Sequence, residues 1–156
     1  MRFCKEYLFI TPEIIQILKS SQNSKIGAKD EDGMTALMYL CYNTSITPEL
    51  IRELKDEIGI QNAEGRTALM CLCTNEAITL ELIRELKDEI GLQNKNGCTA
   101  LIFLCGNLSI TLKLIQELKD EIALQNDVIY VSLKHLNAIN ISSELRDDIK
   151  TYIGNF

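Results

Sequence analysis

Six cysteines and one histidine are the side chains through which this chain could bind a metal, pass electrons or attack a substrate. Cys41, Cys73 and Cys105 stand 32 residues apart, at one position of a recurring pattern. Stacked helices lie about 8–10 Å apart, well beyond the ~3.5–4.5 Å between Cβ atoms that a disulfide requires, so these three read as core thiols. Cys71 and Cys73 look like a chelating pair, but two residues apart on a helix they point about 200° apart, and one zinc ion cannot easily take both. Cys4, Cys71 and Cys98 are the candidates for exposed thiols. A reducing compartment explains all six cysteines without a disulfide. A thiol-dependent redox or metal sensor is carried as an alternative function.

The other routes to chemistry are narrower. His135 alone cannot supply a zinc site built on two or three histidines, and no Ser/His/Asp order assembles around it. No glycine loop of the nucleotide-binding type occurs, and the carboxylates fall on helix surfaces rather than in a cleft. The expectation is a protein with no catalytic, cofactor-binding or metal residues, and therefore not an enzyme. A net charge of −6 offers no basic footprint for nucleic acid or an anionic membrane. No apolar run reaches the roughly 18–20 residues of a membrane span, and the Tyr7–Ile10 patch meets Thr11-Pro12-Glu13 too early for a signal-peptide core. The chain is expected to be soluble, cytoplasmic and monomeric.

What positions these residues is an internal repeat. Starting at Gly33, Gly65 and Gly97, three segments of 32 residues match their neighbours at about two-thirds of positions. Within each, Ala36, Leu37, Leu40 and Cys41, then Leu50, Ile51 and Leu54, recur at helical offsets and predict two short amphipathic helices. Thr35 is placed to cap the first, and Thr47-Pro48-Glu49 opens the second with a hydroxyl, a proline at the first helical position and an acid in the first turn. Asn43, Asn75 and Asn107 follow the first helix and read as left-handed stops. The segment 58–66 reads as a polar turn between copies.

One such unit cannot bury enough apolar surface to fold alone, so each must cover the next. The predicted fold class is all-α, a solenoid of helical hairpins forming one domain. It has three full repeats at 33–64, 65–96 and 97–128, an N-terminal cap at 1–32 and a C-terminal cap at 129–156. In the N-terminal cap Thr11–Lys19 echoes Thr47–Lys55, while most of a first helix is missing. In the C-terminal cap Leu136, Leu145 and Ile149 continue the buried rows.

A helix, a turn, a second helix and a glycine-containing loop, opening with Gly33-x-Thr35-Ala36-Leu37-Met38 and repeated from Gly65 and Gly97, resembles the ankyrin repeat. The family's opening is Gly-x-Thr-Pro-Leu-His. In that family the threonine and histidine knit the turn between units by hydrogen bonds. Met38, Met70 and Ile102 cannot replace the histidine, so the resemblance implies a lattice more dependent on apolar packing. Leu40-Cys41 and its counterparts stand where the family has Ala-Ala, the linker between helices is longer by about two residues, and the period is one below the family's 33.

The resemblance also implies a protein-binding surface on the concave side, made by the first helices and the loop tips. Positions that differ between otherwise similar copies fall there: Met34, Arg66 and Cys98 after the glycine; Tyr39, Cys71 and Phe103 on the outer face of the first helix; Tyr42, Thr74 and Gly106 near its end. His135 continues the column. Tyrosine, phenylalanine and arginine are the anchor types of protein interfaces. The expected function is thus a non-catalytic interaction module or scaffold that binds a protein partner through Met34, Tyr39, Tyr42, Arg66, Cys71, Thr74, Cys98 and Phe103. Structural self-association through imperfect caps is the second reading. On the opposite face, Glu53, Lys55, Asp56 and Glu57 with their counterparts read as a solvated ladder of mixed charge, and Gln61-Asn62 and Gln93-Asn94 as residues that satisfy loop backbone.

Overall fold

A computed structural model describes residues 11–20, 27–122 and 142–154. Among these, every regular element is a helix: α1 (Pro12–Ser20), α2 (Ala36–Cys41), α3 (Pro48–Glu53), α4 (Ala68–Leu72), α5 (Leu80–Glu85), α6 (Ala100–Leu104), α7 (Leu112–Glu117) and α8 (Ser143–Gly154). Each of α3, α5 and α7 continues into a 3-10 turn, Lys55–Glu57, Lys87–Glu89 and Lys119–Glu121. The first helices α2, α4 and α6 pack in one row, and α1, α3, α5, α7 and α8 in a second. The N-terminal segment 11–20 therefore joins the stack as a second helix, as its likeness to 47–55 requires.

The caps explain where helices begin. The Thr35 and Thr67 hydroxyls accept the Met38 and Met70 N–H groups at 3.3 and 3.4 Å, and Thr47, Thr79 and Thr111 do the same for Leu50, Leu82 and Leu114. Leu37, Leu69 and Leu101, the Leu40 and Cys41 rows, and the Ile51 and Leu54 rows form one continuous buried cluster that runs from Ile15 to Ile149. Helices of five or six residues are far too short to be stable alone, so this burial between neighbours, with the polar contacts below, holds them.

Glu57, Glu89 and Glu121 are buried, which corrects their assignment to the solvated ladder. Each lies at the end of its 3-10 turn and accepts two backbone N–H groups, one from each of two adjacent units. Glu89 takes Gly59 N–H at 2.7 Å and Leu69 N–H at 2.6 Å; Glu57 takes Gly27 and Leu37; Glu121 takes Gly91 and Leu101. The leucine N–H belongs to the open first turn of the helix, where orphan donors and the helix dipole favour an anion. Polar knitting between units therefore persists with methionine or isoleucine at 38, 70 and 102, beside the continuous apolar core.

The asparagine column works at the other end of the same helices. No non-glycine residue described has a positive φ, so Asn43, Asn75 and Asn107 are not left-handed stops. Instead Asn75 Nδ2 donates to the Cys41 and Asn43 carbonyls at 2.9 and 3.0 Å, and Asn107 to those of Cys73 and Asn75. Each satisfies helix-terminal carbonyls of the preceding unit. On the outer face Arg52 pairs with Glu85 and Arg84 with Glu117; both arginines are more than half exposed, and such solvent-screened pairs add little to stability.

Glu89→Ala leaves the buried Leu69 N–H without an acceptor, at an expected cost of about 1–3 kcal/mol, while the exposed Gly59 N–H passes to water; urea unfolding measures the loss. Burial pushes the Glu89 and Glu121 carboxyls above their ordinary value of 4.5, against the pull of their N–H donors. A folded-state value above the unfolded one means that stability is fullest below 4.5 and is lost as pH rises through the folded value. The wild-type margin over Glu89→Ala is accordingly expected to widen from pH 7 toward pH 5; a margin that shrinks would show the N–H donors outweighing burial.

Candidate functional site

The loops between units are tight fingers. Asn62 N–H donates to the Arg66 carbonyl at 3.0 Å and Gly65 N–H to the Asn62 carbonyl at 3.0 Å, while Asn62 Oδ1 accepts the Glu64 and Arg66 N–H groups. Asp30 and Asn94 organise the neighbouring fingers in the same way. Ala63 N–H bonds the Asp32 carbonyl and Lys95 N–H the Glu64 carbonyl, so each finger is tied to the one before it. Gly65 has φ +79, and a Cβ there would come within 2.8 Å of Lys95 N; the position needs glycine for both reasons. Gln61 Nε2 spans the Gly65 and Gln93 carbonyls, as the sequence reading of that residue expects.

The fingers and first helices bring together part of the expected binding set. Met34, Tyr42 and Arg66 line one cleft with Asp32, Asn62, Ala63 and Glu64, with a volume of about 340 Å³. Tyr42 stands 45% exposed at its wall. The Arg66 guanidinium lies 5.0 Å from the centre of the Phe103 ring in the next unit, within range of a cation–π contact, and its Nε is 3.2 Å from Glu64. Phe103 is half-buried against the core, as is Met34. Thr74 is exposed and returns its hydroxyl to the Cys71 carbonyl at the helix end.

Tyr39 is not among the residues that line the cleft and is only half exposed. Its hydroxyl donates to the Asp30 carboxylate, a bond that pushes the phenol up to about 12 and holds the Asp30 carboxyl below its usual range. Tyr42 is likewise pushed up to about 12, chiefly by burial of its hydroxyl end. Cys71 is 1% exposed, which corrects its placement on an accessible outer face. Its thiol lies under Tyr42, and burial pushes it up to about 11. Cys98 remains half exposed on the third finger. His135 and Cys4 lie outside the described residues.

No three His, Cys, Asp or Glu side chains converge to hold a metal ion among the described residues. No helix described is long and apolar enough to cross a membrane. Burial raises the Cys41, Cys73 and Cys105 thiols well above their ordinary value, and a buried protonated thiol is a poor nucleophile and ligand.

The sequence reading missed the glutamate staple. Repetition gave no signal of it, because the exposed Lys55 and Asp56 recur in every copy just as Glu57 does.

A family model of ankyrin repeats (3 copies) matches residues 8–86, about half of the chain, and the chain belongs to the ankyrin repeat family. Ankyrin repeats are generally protein–protein interaction modules and typically non-catalytic. No curated protein matches the chain. The unit beginning at Gly97 lies beyond the matched residues, yet its Glu121 and Asn107 repeat the same contacts.

Alkylation of the native protein at pH 8, followed by peptide mass spectrometry, is expected to label Cys98 and to spare Cys41, Cys71, Cys73 and Cys105 until denaturant is added. Native labelling of Cys71 at a rate close to that of Cys98 would contradict its burial.

Proposed function

We propose that this chain is a non-catalytic interaction module that binds one protein partner along its finger turns and first helices, acting as a monomer in the cytoplasm. The observation that carries the proposal is the cleft shared by Met34, Tyr42 and Arg66, which spans two units and exposes an aromatic ring. The invariant threonine, glutamate, asparagine and glutamine columns are committed to helix caps and junctions. The columns that differ between copies are left to meet a partner. Tyr42, Arg66, Thr74 and Cys98 are assigned to the contact surface, with Met34, Tyr39 and Phe103 at its half-buried edge. Cys71 supports Tyr42 from below. A stacked array held by fixed hydrogen bonds loses little conformational freedom on docking, which favours affinity.

Self-association is the second reading, and α1 favours it. Ile14 and Ile17 there are 37% and 68% exposed, an apolar end that another copy could cover.

The test is affinity capture with mass spectrometry, using the wild type beside Tyr42→Ala. Tyr39 and Phe103 are less suitable, because the first anchors Asp30 and the second packs on the core. Tyr42→Ala is expected to melt within a few degrees of wild type and to lose most of the captured partner. Equal capture by both would remove the cleft assignment. Light scattering on the same samples across a concentration series should report a monomer, and a mass that climbs with concentration would favour self-association.

A further inference from the structure

We propose that the cleft between the first two fingers takes a lysine or arginine side chain from a basic segment of the partner, with Asp32 as its charge partner and the Tyr42 ring as its wall. This inference rests on the interaction reading above and adds the chemistry of what binds.

The charges on the fingers are unevenly committed. On the first finger Asp30 accepts the Tyr39 hydroxyl and the Asp32 and Met34 N–H groups, and Lys29 Nζ is engaged on the Gln61 carbonyl at 2.9 Å. Asp32 is exposed and lines the cleft, and its carboxylate has no hydrogen-bond or ion-pair partner among the described residues. On the second finger Arg66 is the cleft's cation, but Glu64 faces its Nε and the Phe103 ring lies beneath its guanidinium. The charge left over in the cleft is therefore that of Asp32, and the exposed Glu31 beside it adds to the same sign.

The shape agrees with the charge. Met34 and the Tyr42 ring offer an apolar and aromatic lining, and the exposed Asp32 lines the same cleft. A side chain with an aliphatic stem and a cationic head matches both, because the stem packs on the lining while the head reaches the carboxylate and the ring face. The cleft's volume of about 340 Å³ has room for one long side chain. An acidic segment would instead face Asp32 and Glu31, an arrangement that like charges disfavour. The third finger carries Lys95 where the first has Glu31 and the second Ala63, and Asn96 where they have Asp32 and Glu64, so the basic part of the partner is expected over the first two fingers.

The test uses the full chain and three labelled decapeptides, alternating lysine–serine, glutamate–serine and glycine–serine, in fluorescence anisotropy at low salt. Spectra of the Met34 methyl and the Tyr42 ring are followed by NMR. The lysine peptide is expected to bind, to shift both signals and to weaken as salt is added; the other two peptides are not. Asp32→Asn is expected to weaken the lysine peptide roughly three- to fivefold, with an unchanged melting temperature, and Tyr42→Ala to weaken it at least as much. Equal or tighter binding of the glutamate peptide, binding that leaves Met34 and Tyr42 unshifted, no effect of Asp32→Asn, or no binding of any peptide would each overturn the assignment. If the lysine peptide fails while the captured partner still depends on Tyr42, the charge assignment falls alone. If the partner ignores Tyr42, the cleft reading falls with it.

Discussion

A carboxylate buried between two units is the interaction on which the rest of this fold depends. Glu57, Glu89 and Glu121 each join a glycine N–H of the preceding unit to the N-terminal turn of a first helix in their own. A buried carboxylate is tolerable only when its oxygens are satisfied, and both donors exist only when two units are stacked in register. The contact therefore sets the spacing between units as well as holding them. Leucine rows alone would permit slippage; two directional hydrogen bonds per junction do not.

The asparagine and finger contacts complete this logic at the remaining open groups. A helix of five residues has almost no internal hydrogen bonds, and nearly all its terminal N–H and C=O groups need outside partners. In α4 the Thr67 hydroxyl and Glu89 serve the N-terminal donors, while Asn107 serves the Cys73 carbonyl at the far end. Because these partners come largely from the 3-10 turn or the next unit, short helices and a short period are mutually consistent. The fingers follow from the same register, since Ala63 and Lys95 reach back to the finger before. The cleft at Met34, Tyr42 and Arg66 is a product of that spacing.

Much of the fold is legible in the sequence because repetition multiplies each signal. The helical hairpins, the Thr35, Thr47 and Pro48 helix starts, the core placement of Cys41, Cys73 and Cys105, and the role of 11–20 as a second helix all follow from patterns seen several times. Glu57 was not legible by type, since a glutamate beside Lys55 and Asp56 looks like surface, and only its burial distinguishes it. Asn75 misleads for a related reason. Asparagine after a helix commonly marks a left-handed turn, whereas here its amide reaches carbonyls 32 and 34 residues away. Cys71 shows the limit of reasoning from variable columns: Tyr39, Cys71 and Phe103 share a register position but not an exposure, because the neighbouring Tyr42 covers the thiol. For the binding set, sequence identifies the columns, and the cleft that joins Met34 to Tyr42 and Arg66 depends on how one finger sits against the next.

The most direct test of the glutamate staple is amide hydrogen exchange at Gly59 and Gly91. Gly59 is an exposed glycine in a turn, and its N–H has Glu89 as acceptor across the junction. Exchange as slow as that of the buried core amides is predicted at both glycines, with Glu89→Ala releasing Gly59 and leaving Gly91 protected. Rapid exchange of Gly59 in the wild type, or equal loss at both glycines in the variant, would contradict the account.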